Sequence, residues 1–262
     1  MPERTRTKRL HQEYIYATLA THMNKNKKPI KADAILWDFD GTLANSAAKN
    51  IAITKQILAR VAPRLTGNNL PGCLRSEANY HVANHGADHW RDLYRDYFGM
   101  TTPEIEAAGP LWESYQMLNG TAVTLFKGVA DAVNQLSHLP QGICSANASG
   151  HIRQILDQFG IASAFESVIG YEDLPFDQQK PAPDGGMKCL KTIFGGTQGK
   201  TILYIGDHVA DVMFARGMRE RLDPSNTVIS VAVTYSGADP GTWKEQPDEV
   251  IESPADLIAW IG

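Results

Sequence analysis

The feature that most constrains this chain is an apolar run that stops abruptly at acidic residues. Ala34–Trp37 reads AILW, and residues 38–42 follow at once with DFDGT. A continuous apolar run is typical of a strand buried on both faces, as in the middle of a parallel sheet. Because the ligand-binding residues of such sheets gather at the carboxyl ends of the strands, Asp38 and Asp40 are the first candidates for a functional site.

Similar strands recur along the chain and alternate with helices. Further strands are predicted at Gln141–Cys144, Ser167–Ile169, Thr201–Ile205, Val228–Val233 and Glu249–Ile251, the last of them short and near an edge. Helices with an apolar face are predicted at Gly128–Leu136, His151–Phe159, Gly185–Phe194, Asp211–Arg216 and Pro254–Ile261. This alternation from about residue 121 onward predicts an α/β fold with a doubly wound parallel sheet.

Residues 46–120 break the alternation, because they read as helices only. These helices are predicted at Ala47–Val61, Glu77–His85, Ala87–Phe98 and Thr102–Leu118. The last begins at Thr102-Pro103-Glu104 with an N-cap residue and a first-turn proline. An insertion of about 75 residues is too long for an ordinary loop. We therefore expect a basic N-terminal extension at 1–31, a catalytic core at 32–45 and 121–262, and a helical cap at 46–120.

The N-terminal extension is basic, whereas the rest of the chain is acidic. Residues 1–31 contain eight Lys or Arg and two Glu, a balance of +6, which leaves −10 for the remainder of a chain of net charge −4. Such an arm could bind a phosphate-rich partner, either nucleic acid or protein. The alternative is a solvated helix that packs on the core, since His11–Met23 carries apolar residues at helical spacing. The sequence leaves both alternatives and the oligomeric state open.

The composition gives no sign of a membrane protein or of a disulfide-rich one. No stretch approaches the roughly 20 apolar residues that cross a bilayer, and no apolar secretory core follows the basic N-terminus. The three cysteines, Cys73, Cys144 and Cys189, are far apart and odd in number, unlike a disulfide framework or a zinc site. We expect a cytoplasmic protein without a membrane partner.

Further acidic residues follow another predicted strand. Asp207 and Asp211 lie one helical turn apart after the strand that ends at Ile205. A lone Asp-x-Asp is weak evidence, because acidic residues at strand ends are often turn formers. Several carboxylates at one edge repel one another, however, unless a hard cation lies among them. Mg²⁺ completes its octahedron with water and substrate phosphate, so metal plus phosphate is the natural filling.

Lys180 and two polar residues after a second strand extend this set. Lys180 begins the run KPAP, whose prolines restrict the backbone, and its ammonium would keep Asp38 ionised and neutralise a phosphoryl group. Ser145 and Asn147 offer donors suited to phosphate oxygens. Taken singly, Lys180 could be a surface residue and Ser145 a helix N-cap. The four elements in this order favour a phosphate site.

Together these residues resemble the four motifs of the haloacid dehalogenase-like hydrolase superfamily. The resemblance runs from Ala34 to the C-terminus. Its motifs are DFDGTL at 38–43, Ser145 in CSAN, KPAP from Lys180 and GDHVAD at 206–211. It implies a Rossmann-like core with an inserted all-helical cap of the C1 type. The phosphoglycolate-phosphatase-like branch looks closest, because LFKGV follows the cap at 125–129.

The resemblance also implies a role for each motif residue. Asp38 would be the nucleophile, and Asp40 the general acid and base. The phosphoryl oxygens would be stabilised by Thr42, Ser145 and Lys180. The cofactor Mg²⁺ would be held by Asp38, the main-chain carbonyl of Asp40 and Asp207. Supporting residues would be Asp211, Asn147 and Gly41.

These roles predict a Mg²⁺-dependent phosphatase that hydrolyses a small-molecule phosphate monoester through an aspartyl-phosphate. Asp40 favours phosphoryl transfer over halide displacement, since halide leaves without a proton. A sugar phosphomutase would use the same residues and is one alternative. A polyanion-binding or scaffold subunit that retains a phosphatase core is another. Substrate choice is expected to lie in the cap, where the candidates are Arg75, His81 and His85.

Overall fold

The structure is a computed structural model that describes residues 28–87 and 89–261. The predicted helix His11–Met23 lies outside the described residues, as does nearly all of the basic extension at 1–31. Neither interpretation of that extension is therefore tested by the structure.

The core is built on a parallel sheet. The described residues form eight strands, which are β1 (Ala34–Trp37), β2 (Ala44–Asn45), β3 (Thr124–Leu125), β4 (Gln141–Cys144), β5 (Ser167–Ile169), β6 (Thr201–Gly206), β7 (Thr227–Val233) and β8 (Glu249–Ile251). Six of them form one sheet in the order β5-β4-β1-β6-β7-β8, with every neighbouring pair parallel. Trp37 is level with Ile143 on one side and with Ile205 on the other. Residues that follow these three strands therefore emerge at one edge of the sheet.

The predicted strands are confirmed to within one residue at either end, and the strand at Glu249–Ile251 is an edge strand as expected. Long buried runs predicted them well because a strand covered on both faces carries apolar residues at every position. The pair β2 and β3 was not predicted, since two residues each are too few for a pattern. These two strands pair antiparallel where the chain leaves the core and returns to it.

The described residues between β2 and β3 form helices joined by turns and loops, with no strand among them. Its α-helices are α1 (Ala47–Val61), α2 (Glu77–His85), α3 (Trp90–Asp92), α4 (Thr102–Ala108) and α5 (Trp112–Leu118). They enclose a hydrophobic cluster of their own, which includes Ile53, Leu58, Tyr80 and Phe98. An all-helical cap inserted after the first strand is thus confirmed. The domain boundaries at 45/46 and 120/121 stay a prediction.

Two of the predicted cap helices are not continuous. The helix expected at Ala87–Phe98 begins only at Trp90 and passes into a π-helix at Leu93–Tyr97. The helix expected at Thr102–Leu118 is interrupted by a 3-10 turn at Gly109–Leu111. This turn contains Pro110, which has no amide hydrogen and disrupts a helix interior.

The N-cap of α4 also differs from the prediction. It is Thr101 and not Thr102, because the backbone amide of Thr101 donates to Glu104 Oε2 at 2.7 Å. Pro103 lies in the first turn as expected.

The core helices cover both faces of the sheet. They are α6 (Val129–Gln135), α7 (Ser149–Gln158), α8 (Asp184–Phe194), α9 (Val209–Arg221) and α10 (Pro254–Ile261). Ile35 and Trp37 of β1 pack in a cluster with residues of α6, α7 and α10, whereas Leu36 packs with residues of α8 and α9. Successive residues of a strand point to opposite faces, so the sheet is doubly wound as predicted. The helix expected at Asp211–Arg216 is longer in the structure.

Two properties of the described chain bear on its environment. None of its helices has the length and apolar character needed to cross a bilayer. All three cysteines, Cys73, Cys144 and Cys189, are free, and the last two are buried.

A buried histidine makes the stability of the core dependent on pH. His151 lies in the first turn of α7 and is 4% exposed. Burial and the nearby charge of Lys49 lower the pKa of His151 to about 4. In the unfolded chain a histidine titrates near ~6.5. The stability that comes from burying His151 in its uncharged form is therefore fully present above pH ~6.5. It is lost as the pH falls towards the pKa of His151 in the folded protein.

Between pH 7 and pH 5 we expect His151 to reduce the free energy of unfolding by about 2 kcal/mol. His151→Gln cannot be protonated, so this variant should show a correspondingly smaller loss over the same pH range. Urea denaturation of both proteins at the two pH values measures the difference. An identical pH dependence in wild type and variant would contradict the assignment.

Candidate active site

Asp38 lies at the edge of the sheet where the parallel strands end. Backbone pairing of β1 with β6 continues one residue past the end of β1 and so includes Asp38. The backbone amide of Asp38 donates to the carbonyl of Ile205 at 2.8 Å. The carboxylate of Asp38 is buried, and the whole residue is 6% exposed. The end of the central strand thus places a buried acid directly above β1, between β4 and β6.

Lys180 joins this acid to a second one. Its Nζ donates to Asp38 Oδ1 at 2.7 Å and to Asp211 Oδ1 at 2.5 Å. Nζ also lies 5.4 Å from the ring centroid of Tyr204 and 5.8 Å from that of Phe214. Although burial disfavours the charged amine, Asp211 and Asp38 raise the pKa of Lys180 well above its usual value. Lys180 is therefore a buried, permanent cation and not a surface residue.

Three carboxylates converge next to this lysine. One oxygen each of Asp38, Asp207 and Asp211 lies within 4.8 Å of the other two, and all three residues are buried. Burial raises the pKa of Asp38 well above its usual value despite the charge of Lys180, and Asp211 and Asp207 add to the rise. Lys180 alone therefore does not offset the cost of keeping Asp38 ionised beside the other two acids. Carboxylate oxygens are the ligands of hard divalent cations, so this donor set fits such an ion.

Glycines make room for the converging carboxylates. Gly41 has φ +82°, and a Cβ atom on it would lie 2.0 Å from Asp207 Oδ2. At Gly206 an added Cβ would lie 2.2 Å from Asp211 Cγ. Next to Gly41, Thr42 Oγ1 donates to Asp207 Oδ1 over a long 3.4 Å. The backbone after β1 can therefore approach Asp207 this closely only because residue 41 is a glycine.

Asp40 receives hydrogen bonds from a different direction. Asn147 Nδ2 donates to Asp40 Oδ2 at 2.7 Å, and Gln116 Nε2 of α5 donates to Asn147 Oδ1 at 3.0 Å. Asp40 Oδ1 is buried and has no hydrogen-bond partner in the described part of the chain. Burial raises the pKa of Asp40. This carboxyl group is thus suited to hold a proton.

Ser145 lies at the end of β4 and is buried. Its Oγ accepts a hydrogen bond from the backbone amide of Asn147 at 3.3 Å. The interpretation of Ser145 as a helix N-cap is wrong, because α7 begins after Ala148. The hydroxyl therefore lies at the same edge of the sheet as Asp38.

The three predicted cap residues lie in different places. His81 lines a cleft that also contacts Asp40 and Asp207. His85 contacts Asp207 itself, with Nε2 2.8 Å from Oδ2. Arg75 is exposed, and its guanidinium donates to two loop carbonyls within the cap, so the structure does not bring it to the carboxylates. The rest of the cleft lining comprises Gly41, Ser46, Ala47, Asn50, Tyr80 and Asn84.

Known proteins resemble this chain in sequence and in fold. A family model for haloacid dehalogenase-like hydrolases matches residues 35–220, which is more than two thirds of the chain. The chain belongs to this hydrolase family. The four motifs identified in the sequence all lie within or at the edge of the matched region.

Individual relatives of this hydrolase are distant but match most of its length. Phosphoglycolate phosphatase of Synechococcus elongatus is 28% identical over 243 residues, covering 86% of this chain and 95% of the relative. N-acetylmuramic acid 6-phosphate phosphatase of Pseudomonas putida is 25% identical over 227 residues, covering 86% and 93%. A haloacid dehalogenase-like hydrolase structure from Streptococcus pneumoniae has a TM-score of 0.67 at 18% identity, covering 88% of this chain and 99% of that one. At that identity the structural likeness shows the fold.

Among the side chains that sequence reasoning missed are two that contact predicted residues of the hydrolase site. Gln116 reaches Asn147 from the cap. Tyr204 donates to the carbonyl of Cys144 at 2.9 Å and lies 3.4 Å from Asp211 Oδ1. Tyr204 read as an ordinary strand residue and Gln116 as a polar helix residue. Neither has a local sequence signal, because both act through partners that are distant in the chain.

Gly41→Ala should destabilise the hydrolase more than an ordinary glycine substitution does. An alanine at positive φ costs about 1–2 kcal/mol, and at Gly41 the clash with Asp207 adds to this. Gly99 is a matched control, since it has φ +74° and no atom within 4 Å of an added Cβ. Urea denaturation should show that Gly41→Ala costs at least about 1 kcal/mol more than Gly99→Ala. Equal costs would mean that Asp207 moves freely away from Gly41.

Proposed function

We propose that this hydrolase is a Mg²⁺-dependent phosphatase that acts on a small phosphate monoester through an aspartyl-phosphate on Asp38. The observation that carries the proposal is the buried convergence of Asp38, Asp207 and Asp211 around Lys180. Asp40 stands beside this group at a cleft formed with the cap. A nucleophile, a fixed cation and a separate acid are the parts that phosphoryl transfer needs.

The first step is attack of Asp38 on phosphorus. Lys180 holds Oδ1 of Asp38, so Oδ2 is the oxygen left to form the bond to phosphorus. As this bond forms, the bond between phosphorus and the leaving-group oxygen breaks. Lys180 neutralises charge on the transferring phosphoryl group, and the Thr42 and Ser145 hydroxyls bind its oxygens.

Asp40 supplies and then removes the proton. In the first step its carboxyl group donates a proton to the leaving-group oxygen. The raised pKa of Asp40 supports this role, because a general acid must be protonated near neutral pH. In the second step the resulting carboxylate takes a proton from water, and that water attacks phosphorus. Inorganic phosphate leaves, and Asp38 regains its free carboxylate.

The metal ligands in this proposal are Asp38, Asp207 and the main-chain carbonyl of Asp40. A bound Mg²⁺ would supply Lewis-acid stabilisation of the phosphoryl group and would favour the ionised form of the buried acids. Asp211 supports the site from behind, because one of its oxygens accepts from Lys180 and the other from the backbone amide of His208.

The substrate is proposed to be a small phosphate ester of the phosphoglycolate type. The relatives named as phosphoglycolate phosphatase support this class, and the N-acetylmuramic acid 6-phosphate phosphatase supports a sugar phosphate as the second candidate. A phosphomutase would use the same core residues, and no contact in the described chain favours it.

The three free cysteines support a cytoplasmic location.

The phosphoenzyme is the most direct sign of this chemistry. Wild type should hydrolyse members of a phosphate-ester panel in Mg²⁺ and lose turnover in excess chelator. Asp38→Asn should lose at least about a thousandfold in turnover with its fold intact, because an amide is a poor nucleophile. Asp40→Asn, treated with p-nitrophenyl phosphate, should accumulate a phosphoryl adduct, since it lacks the base for the second step.

Intact-mass and peptide spectrometry after acid quench would locate the adduct. It is expected on the peptide that contains Asp38 in Asp40→Asn, and it should be absent from the double variant that also carries Asp38→Asn. Turnover by Asp38→Asn within a few-fold of wild type, or an adduct on another residue, would refute the mechanism.

A further inference from the structure

A histidine of the cap holds one oxygen of a proposed metal ligand. His85 is the last residue of α2, and its side chain is 9% exposed. Its Nε2 lies 2.8 Å from Asp207 Oδ2. A carboxylate only accepts hydrogen bonds, so Nε2 carries the proton and donates it. Burial alone would raise the pKa of Asp207, but the hydrogen bond and charge of His85 lower it below its usual value.

The ring of His85 contacts the rings of two further histidines. Its centroid lies 5.9 Å from that of His81 with the planes 23° apart, and 6.2 Å from that of His208. His208 is fixed in turn, because its Nδ1 accepts a hydrogen bond from the backbone amide of Ala210 at 3.1 Å. One neighbour belongs to the cap and the other to the core. The contact between His85 and Asp207 likewise joins the cap to the core.

We infer that His85 positions Asp207 for the divalent cation, and that cap closure and metal binding thereby stabilise each other. The inference rests on the proposed function. Oδ2 of Asp207 is engaged by His85, whereas among the described residues Oδ1 has only the long 3.4 Å contact with Thr42. Oδ1 is therefore the oxygen available to a cation. Hydrogen bonds that orient a metal-ligating group in this way typically change metal affinity by about 10–100-fold.

The coupling follows because His85 belongs to the cap whereas Asp207 belongs to the core. On the same helix Tyr80 and Ala83 are buried in the hydrophobic cluster of the cap. An open cap would take Nε2 away from Asp207 and release its carboxylate to rotate. Since coupling free energies are reciprocal, a cation that prefers the oriented carboxylate must also favour the closed cap.

The test measures Mg²⁺ binding to the full chain by titration calorimetry, without substrate. His85→Phe keeps a stacked ring but has no donor, and we expect it to bind Mg²⁺ about tenfold more weakly. His85→Gln keeps an N–H donor and should stay within about threefold of wild type. His81→Phe is the matched control on the same helix, since His81 stacks on His85 but has no hydrogen bond to Asp207. Its Mg²⁺ affinity should be unchanged.

Hydrogen exchange supplies a second readout that needs no substitution. Mg²⁺ should slow exchange of the α2 amides in wild type and have no such effect in His85→Phe. Equal or tighter Mg²⁺ binding by His85→Phe, or unchanged α2 exchange in wild type with bound Mg²⁺, would overturn the inference alone. Absence of Mg²⁺ binding and of turnover in wild type would overturn the proposed function together with the inference.

Discussion

Negative charge concentrated at one edge of a buried sheet is the constraint on which this structure depends. Asp38, Asp207 and Asp211 bring ligand oxygens within 4.8 Å of one another with little exposure to water. Like charges at such distances are unfavourable in a low-dielectric interior unless cations lie among them. Lys180 meets part of this need through bonds to two of the acids. Because β1 is central and its neighbours end at the same level, residues that follow these strands lie close together.

The inserted cap contributes side chains that hydrogen-bond to residues of the site. Gln116 reaches Asp40 through Asn147, and His85 reaches Asp207 directly. The cap is therefore linked to Asp40 through Asn147 and hydrogen-bonds directly to Asp207, a carboxylate suited to a cation. Short antiparallel pairing of β2 with β3 holds the two connections of the insertion side by side. These contacts link the position of the cap to the geometry of the site.

The sequence predicted the core much better than the cap. Core strands are buried on both faces, so their apolar runs marked them without reference to the rest of the fold. In the cap, helix ends depend on local interruptions such as the turn at Gly109–Leu111, and spacing alone did not locate it. Nor could spacing separate Arg75, which bonds within the cap, from His85, which reaches Asp207. Which face of a cap helix meets the core is a tertiary property.

A crystal structure of the chain with Mg²⁺ and beryllium fluoride would show directly whether Asp38 is the nucleophile. Beryllium fluoride imitates a phosphoryl group bound to a carboxylate. We expect it to be attached to Oδ2 of Asp38, with Lys180 still bound to Oδ1 and Mg²⁺ next to Asp207. An unmodified Asp38 with the fluoride bound at another residue, under conditions in which the protein hydrolyses a phosphate ester, would contradict this expectation.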